Sequence, residues 1–310
     1  MLYQLPTVQI IGAQKAGTSA IADWLFNDER DGAGFTRPTL FDNEPDFYNK
    51  EVHFFDINHR FCQGVEFYAQ RYSSISQSCP SHRPGLDATP ETFAFPDRVR
   101  ATYEAAGGNQ VNTVKFIVIL REPVARELSL YNHLVYDCLR LPAAERNSWH
   151  NQVLVAEHTA NESDGIDSSA ILAFDDFVYH VSLPGLSVND GPGRSSRLGL
   201  YALYLRQWFR VFNRNQILVL SYDELQNDAQ RLQQRIRDFL GVSATLLPDM
   251  LPKSNCNDGP HKVKAPSPEA QQALNLIFEP FNEELYRLLE DSPGPPMEQR
   301  PFPKFHDTDS

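Results

Sequence analysis

Apolar positions fall into two periods along this chain, and the two alternate. Val8-Gln9-Ile10-Ile11 is a short β-rich run closed by Gly12. Ile21, Trp24 and Leu25 then follow at helical spacing. Lys115-Phe116-Ile117-Val118-Ile119-Leu120 is nearly continuous apolar sequence, which predicts a strand buried on both faces. Behind it, Val124, Leu128, Tyr131 and Val135 lie on one stripe of a helix. Tyr201, Leu205, Trp208 and Phe212 repeat that stripe. Gln216 to Leu220 predicts a third buried strand. Leu232, Ile236, Phe239 and Leu240 predict a further helix, closed by Gly241. Ser267-Pro268-Glu269 combines a capping hydroxyl, a first-turn proline and an acid, and so starts the last helix. Its apolar face reads Leu274, Ile277, Phe281, Leu285 and Leu288.

Strands alternating with helices predict an α/β fold with a central parallel sheet flanked by helices. One domain is expected over residues 1–291. Within it, 141–197 has weak periodicity and many turn residues, and reads as an insertion near the substrate cleft. Residues 292–310 are rich in proline and charge and are expected to form a tail.

Composition narrows the partners. The 310 residues are 41% hydrophobic and 22% charged, the profile of a soluble globular protein. No run approaches the roughly 18 apolar residues of a membrane span. The first residues lack the basic and apolar regions of a signal peptide. A net charge of -12 argues against a nucleic-acid partner and against a strongly polyanionic substrate. Cys62, Cys79, Cys138 and Cys256 are widely spaced with no CxxC pair, so no zinc site is expected. They read as reduced thiols, with a single disulfide left open.

Two motifs carry chemistry. Gly12-Ala13-Gln14-Lys15-Ala16-Gly17-Thr18-Ser19 sits between a predicted strand and a predicted helix. Glycines five apart allow a tight loop of exposed backbone N–H groups, and the helix that follows turns its positive dipole end toward an anion. This is the physics of a P-loop. It differs from the Walker A motif, which places Lys directly after its second Gly, where this chain has Thr18. The lysine here is Lys15, inside the loop, where it can neutralise charge developing on a leaving phosphate. Thr18 and Ser19 add hydroxyl donors. The second motif is Leu120-Arg121-Glu122-Pro123-Val124-Ala125-Arg126-Glu127-Leu128-Ser129. Arg121 ends a buried strand, where open α/β sheets bind ligands, and can clamp a phosphate with two donors. Ser129 lies on the helix that follows.

At these residues the chain resembles the sulfotransferases that use 3'-phosphoadenosine-5'-phosphosulfate (PAPS). The resemblance implies that Lys15, Ala16, Gly17, Thr18 and Ser19 hold the 5'-phosphosulfate, and that Arg121 and Ser129 hold the 3'-phosphate. Its nearest branch is the heparan-sulfate type, with its 3-O- and N-sulfotransferases. Lys50-Glu51-Val52-His53-Phe54-Phe55-Asp56, Asp87-Ala88-Thr89-Pro90 and the stretch from Leu198 to Leu225 are similar to segments of that branch, in the same order. The resemblance implies Glu51 as general base, supported by His53 and Asp56; His53 is the alternative base. It brings Tyr222 toward the adenine. Lys262 and Lys264 stand where relatives carry a Gly- and Arg-containing loop over the 3'-phosphate, although Gly259-Pro260-His261-Lys262-Val263-Lys264 departs from that pattern.

The implied product of the donor is PAP (3'-phosphoadenosine-5'-phosphate), and no metal is expected. The implied acceptor is a small molecule or carbohydrate. Relatives carry an Arg after the loop Thr and a basic residue before the Thr-Pro segment. Here Ser19 and Ala88 stand in those places, which points to an acceptor less anionic than heparan. The compartment reads as cytoplasmic if Met1 is the natural start, or as the Golgi lumen if the chain is a trimmed domain. Two other classes remain open: a P-loop nucleotide kinase or NTPase, and a non-catalytic nucleotide-binding protein.

Overall fold

The computed structural model describes residues 2–27, 34–42, 44–73, 83–142, 146, 149–154, 170–187, 194–243, 247 and 261–305. Cys79, Cys256, Gly259 and Pro260 lie outside them, as do parts of the expected insertion. Four parallel strands form one sheet in the order β2-β1-β3-β4. These are β1 (Val8–Gly12), β2 (Leu86–Asp87), β3 (Lys115–Leu120) and β4 (Ile217–Ser221). The longer helices are α1 (Thr18–Phe26), α2 (Pro96–Ala106), α3 (Pro123–Arg140), α4 (Tyr201–Val211), α5 (Tyr222–Asn227), α6 (Ala229–Leu240) and α7 (Pro268–Asp291). This is the expected α/β architecture. No helix among the described residues is long and apolar enough to cross a membrane.

Register follows from burial. Every residue of β1 and β4 is buried, as is every residue of β3 except Lys115. Sheets covered on both faces select such unbroken apolar runs. Val8 pairs with both Leu86 and Lys115, and Leu120 pairs with Ser221. All four strands therefore deliver their carboxyl ends to one edge of the sheet. The segments leaving that edge are 13–19, 88–91, 121–123 and 222 onward.

The chain divides into two compact units. The first comprises residues 1–121, 202–254 and 285–310, and the second 122–201 and 255–284. The first unit holds the sheet. Its core includes Trp208, whose indole N–H donates to the Phe93 carbonyl at 2.8 Å and whose ring lies 4.8 Å from that of Phe116. The helical stripe of Leu205, Trp208 and Phe212 is buried as predicted. Gly241 closes α6 at φ 72°, in the left-handed region glycine favours, with its N–H bonded to the Arg237 carbonyl.

Several features differ from the sequence reading. Gln216 precedes β4 instead of opening it. Asn213 accepts from the Asn215 amide while the Gln216 side chain accepts from the Asn213 amide, so these residues form a capped turn. Residues 292–305, expected as a tail, are anchored: Glu298 pairs with Arg214 at 2.5 Å and accepts the Val219 amide of β4 at 2.8 Å. The buried face of α7 runs through Ala270, Leu274, Phe278, Asn282, Leu285 and Leu289, offset from the predicted stripe at Ile277, Phe281 and Leu288.

In the second unit, α3 buries Val124, Tyr131 and Val135 as predicted, but Leu128 is only half-buried. Arg126 and Glu127 are fully buried instead. Arg126 donates to Glu127 at 3.0 Å and to the carbonyls of Ser195 and Ser196. Glu127 accepts from Ser182 at 2.6 Å and from Ser196. The charges are tolerated because they are paired and hydrogen-bonded. Ser267 caps α7 as predicted, accepting the Ala270 amide at 3.1 Å.

Candidate active site

The loop 12–17 leaves β1 toward α1. Lys15 has φ 66° and Gly17 φ 94°, so the chain takes two left-handed turns before the helix. Gly17 is required twice over. Its backbone favours glycine, and a Cβ there would approach a Leu225 methyl at 2.5 Å and the Tyr222 ring at 3.3 Å. The first turn of α1 has no side-chain cap and no acidic residue. Helix-terminal amides left without an internal acceptor are a ready site for an anion.

Arg121 leaves β3 beside this loop. Its Nη1 donates to the Lys15 carbonyl at 3.2 Å, and its guanidinium lies 4.6 Å from the centroid of the Tyr222 ring, a cation–π contact. The structure thus brings together Lys15, Gly17, Arg121 and Tyr222, which the sequence places more than 200 residues apart at the extremes. Ser129 lies on α3 in the second unit. Three residues on, the Asn132 side chain donates to the Val263 carbonyl at 2.8 Å and accepts the Val263 amide at 2.9 Å. Lys262 and Lys264, both exposed, therefore flank a residue fixed to the helix that carries Ser129.

The segment 50–56 is positioned by the end of β2. Asp87 is buried and accepts from the hydroxyls of Tyr68 at 2.8 Å and Thr89 at 2.7 Å. Thr89 in turn accepts the His53 amide at 3.1 Å, and the Ala88 amide donates to the Lys50 carbonyl at 3.0 Å. His53 has φ 51°, the turn that the Glu51–His53–Asp56 spacing requires. Burial pushes the Asp87 carboxyl upward in pKa, against the hydrogen bonds that favour its charge.

His53 sits between two carboxylates. Its Nδ1 lies 2.8 Å from Asp56 and its Nε2 3.4 Å from Glu51. Burial disfavours the imidazolium, but hydrogen bonds to Asp56 and Glu51 outweigh it, and the pKa rises well above its usual value. His53 is therefore a cation at neutral pH, with both ring nitrogens donating. Burial likewise pushes Glu51 upward, but His53 and Lys50 prevail and hold its pKa at about 2. The Lys50 ammonium joins this group to the loop after β1, 2.6 Å from Glu51 and 2.7 Å from the Ser19 hydroxyl.

Three residues of this group were not singled out from sequence: Lys50, Gln14 and Glu91. Gln14 of the loop donates to Glu91 at 2.6 Å. Ligating atoms of Glu51, His53 and Glu91 all lie within 4.8 Å of one another. Within the group, His53 turns both ring nitrogens to carboxylates of its own segment, Nδ1 to Asp56 and Nε2 to Glu51, so hydrogen bonds account for its orientation. Burial raises Glu91 to about 7, helped by the negative charges of Asp56 and Glu51 and opposed by His53. The signal for Lys50 was its place beside Glu51. Glu91 had no local signal, since its partners come from the loop and from segment 50–56.

Comparison with known proteins agrees with this geometry. Residues 5–258 match the sulfotransferase domain family. The chain is 24% identical over 309 residues to heparan sulfate glucosamine 3-O-sulfotransferase 3A1 of Mus musculus, covering 92% of this chain and 63% of that protein. It is 24% identical to heparan sulfate glucosamine 3-O-sulfotransferase 6 of Homo sapiens, covering 92% of this chain and 72% of that one. The chain thus spans about two thirds of the length of these relatives. A crystal structure of a sulfotransferase from Alicyclobacillus acidocaldarius superposes with a TM-score of 0.60 at 21% identity, over 92% of this chain and 96% of that one, and shares the fold. With nearly the whole chain matched, and a lysine-bearing loop set against the arginine that ends the adjacent strand, this protein belongs to the sulfotransferase family.

Proposed function

We propose that the protein transfers a sulfuryl group from PAPS to a hydroxyl or amine of an acceptor, in line, with Glu51 as general base. The observation that carries this reading is the meeting of Lys15 and Arg121 beside the uncapped first turn of α1. Those amides and cations suit the anionic groups of PAPS. Lys15, Ala16, Gly17, Thr18 and Ser19 would hold its 5'-phosphosulfate, and Arg121 its 3'-phosphate, with Tyr222 toward the adenine. The family resemblance assigns Ser129, Lys262 and Lys264 to the 3'-phosphate as well.

PAPS supplies an activated sulfuryl group. Glu51, ionised across the neutral range, takes the proton of the acceptor hydroxyl. The acceptor oxygen forms a bond to sulfur while the bond from sulfur to the phosphate oxygen breaks, and its electron pair leaves on PAP. Lys15 neutralises that charge. His53, fixed by Asp56, orients Glu51, and Lys50 ties it to the loop through Ser19.

The acceptor is less anionic than heparan: a neutral sugar, a sterol-like or phenolic alcohol, or another small metabolite. Two things support this. Ser19 and Ala88 stand where relatives carry basic residues. Among the described residues, Asp56 and Glu91 stand with Lys50 and His53 around Glu51, so with Glu51 itself the carboxyls outnumber the cations three to two.

The test is thermal. PAP without Mg²⁺ should raise the melting temperature by a few degrees, because a ligand that binds only the native state stabilises it by mass action. Sulfate transfer from PAPS should favour neutral alcohols over heparan. A melting temperature indifferent to PAP, or raised only with Mg²⁺, would remove the donor assignment. Preference for heparan would remove the acceptor assignment.

A further inference from the structure

Both oxygens of Glu51 face cations. Oε1 lies 2.6 Å from the Lys50 ammonium and Oε2 3.4 Å from His53. This arrangement keeps Glu51 ionised, and it also makes Glu51 reluctant to accept a proton. A base performs best when its proton affinity suits the pH at which it works. A further negative charge nearby would raise its proton affinity. Asp56 is committed to His53 through Oδ2. Among the described residues, Glu91 is a further acid of this group, brought in by the turn that follows β2 and held through Oε1 by Gln14 of the Lys15 loop. Its Oε2 is buried and meets no hydrogen-bond partner among the described residues. A buried carboxyl oxygen left without a donor is costly, and such exceptions call for an explanation.

We propose that Glu91 is a positioning residue for sulfuryl transfer, whose own charge sets how readily the Glu51–His53 pair takes the acceptor proton. This rests on the function proposed above and deepens it. With Glu91 neutral, Lys50 and His53 balance Glu51 and Asp56, and Glu51 stays a weak base. With Glu91 ionised, the group carries one extra negative charge and Glu51 gains proton affinity. The groups facing Glu91 are Glu51, His53 and Asp56 from segment 50–56 and Gln14 from the loop, with Lys50 acting through Glu51. The neutral form dominates below about pH 7 and the ionised form above it. Gln14 also makes the link mechanical, since Glu91 is held by the loop that carries Lys15.

The experiment compares wild type with Glu91→Gln and Glu91→Asp in the full chain. The ring nitrogens of His53 are followed by ¹⁵N NMR from pH 5 to 9, without nucleotide. PAP release from PAPS is measured over the same range, with water and with phenol as acceptor probes. In wild type, the His53 shift should show a step near pH 7 and kcat/KM should rise through it. Glu91→Gln should lose both, leaving kcat/KM flat and about threefold lower at pH 8, as expected for a general base whose proton affinity falls by about one unit with a Brønsted exponent of about one half. Glu91→Asp should restore part of the rise. An unchanged His53 step, or an unchanged rise of kcat/KM, in Glu91→Gln overturns the inference. If neither protein releases PAP but the His53 step is lost in Glu91→Gln, the coupling stands and the sulfotransfer reading falls.

Discussion

Glu44 and Glu51 are two carboxylates of the first unit, both held at a pKa of about 2, by different means. Glu44 is gripped by guanidiniums. Arg71, fully buried, donates to both its oxygens, and Arg60 donates at 2.7 Å. Guanidiniums stay charged at any pH a protein survives. Glu51 is held by an ammonium and an imidazolium, beside an acid that titrates near neutrality. The first arrangement cannot respond to its surroundings, and the second can. The two are also connected, because Arg60 donates to the Val52 carbonyl at 2.8 Å, between Glu51 and His53. The rigid ion cluster fixes the backbone on which the responsive one is built.

Substitution should separate them. Glu51→Gln is expected to lower PAP release from PAPS by about 10²–10⁴-fold, the span of general-base contributions, while PAP still raises the melting temperature. A variant with near wild-type rates would remove Glu51 as the base. Glu44→Ala should cost about 3–5 kcal/mol in chemical denaturation, because it leaves the buried Arg71 unpaired. A cost below about 1 kcal/mol would erase the distinction drawn here between scaffold and site.

The smallest effect concerns stability against pH. Glu44 and Glu51 have native pKa values below the usual 4.5, so both favour the fold above about pH 4.5 and lose that contribution as the pH falls toward 2. Glu91 has the opposite sign. Its native pKa lies above 4.5, so folding favours its protonated form, and its contribution fades as the pH rises from about 4.5 through 7. Glu91→Gln should therefore stabilise the protein at pH 8, by at most about 3 kcal/mol, and change little at pH 4.5. Melting curves at the two pH values check this, and an equal shift at both would refute it.

The sequence made the covered strands and the loop legible because their signals are local. An unbroken apolar run such as Phe116–Leu120 has few other uses, and a lysine within a Gly-bounded loop after a strand points toward an anion. Helix faces were harder. Leu128 fitted the stripe of α3, yet Arg126 and Glu127 took the buried place, because partners near residues 182 and 195 satisfy their charge. Glu91 was invisible for the same reason: its bond to Gln14 spans 77 residues, and periodicity carries nothing at that distance. The site is legible where chemistry follows the chain, as from Lys50 to Asp56, and not where folding brings distant acids together.

The anchored C-terminal segment has a further consequence. β4 ends the sheet among the described strands, and a bordering strand offers open amides to any neighbouring chain. Glu298 fills the place such a neighbour would take at Val219, and does so with a carboxylate already bound to Arg214. The residues past α7 thus act as a hem, closing the margin along which copies of this protein could otherwise stitch together.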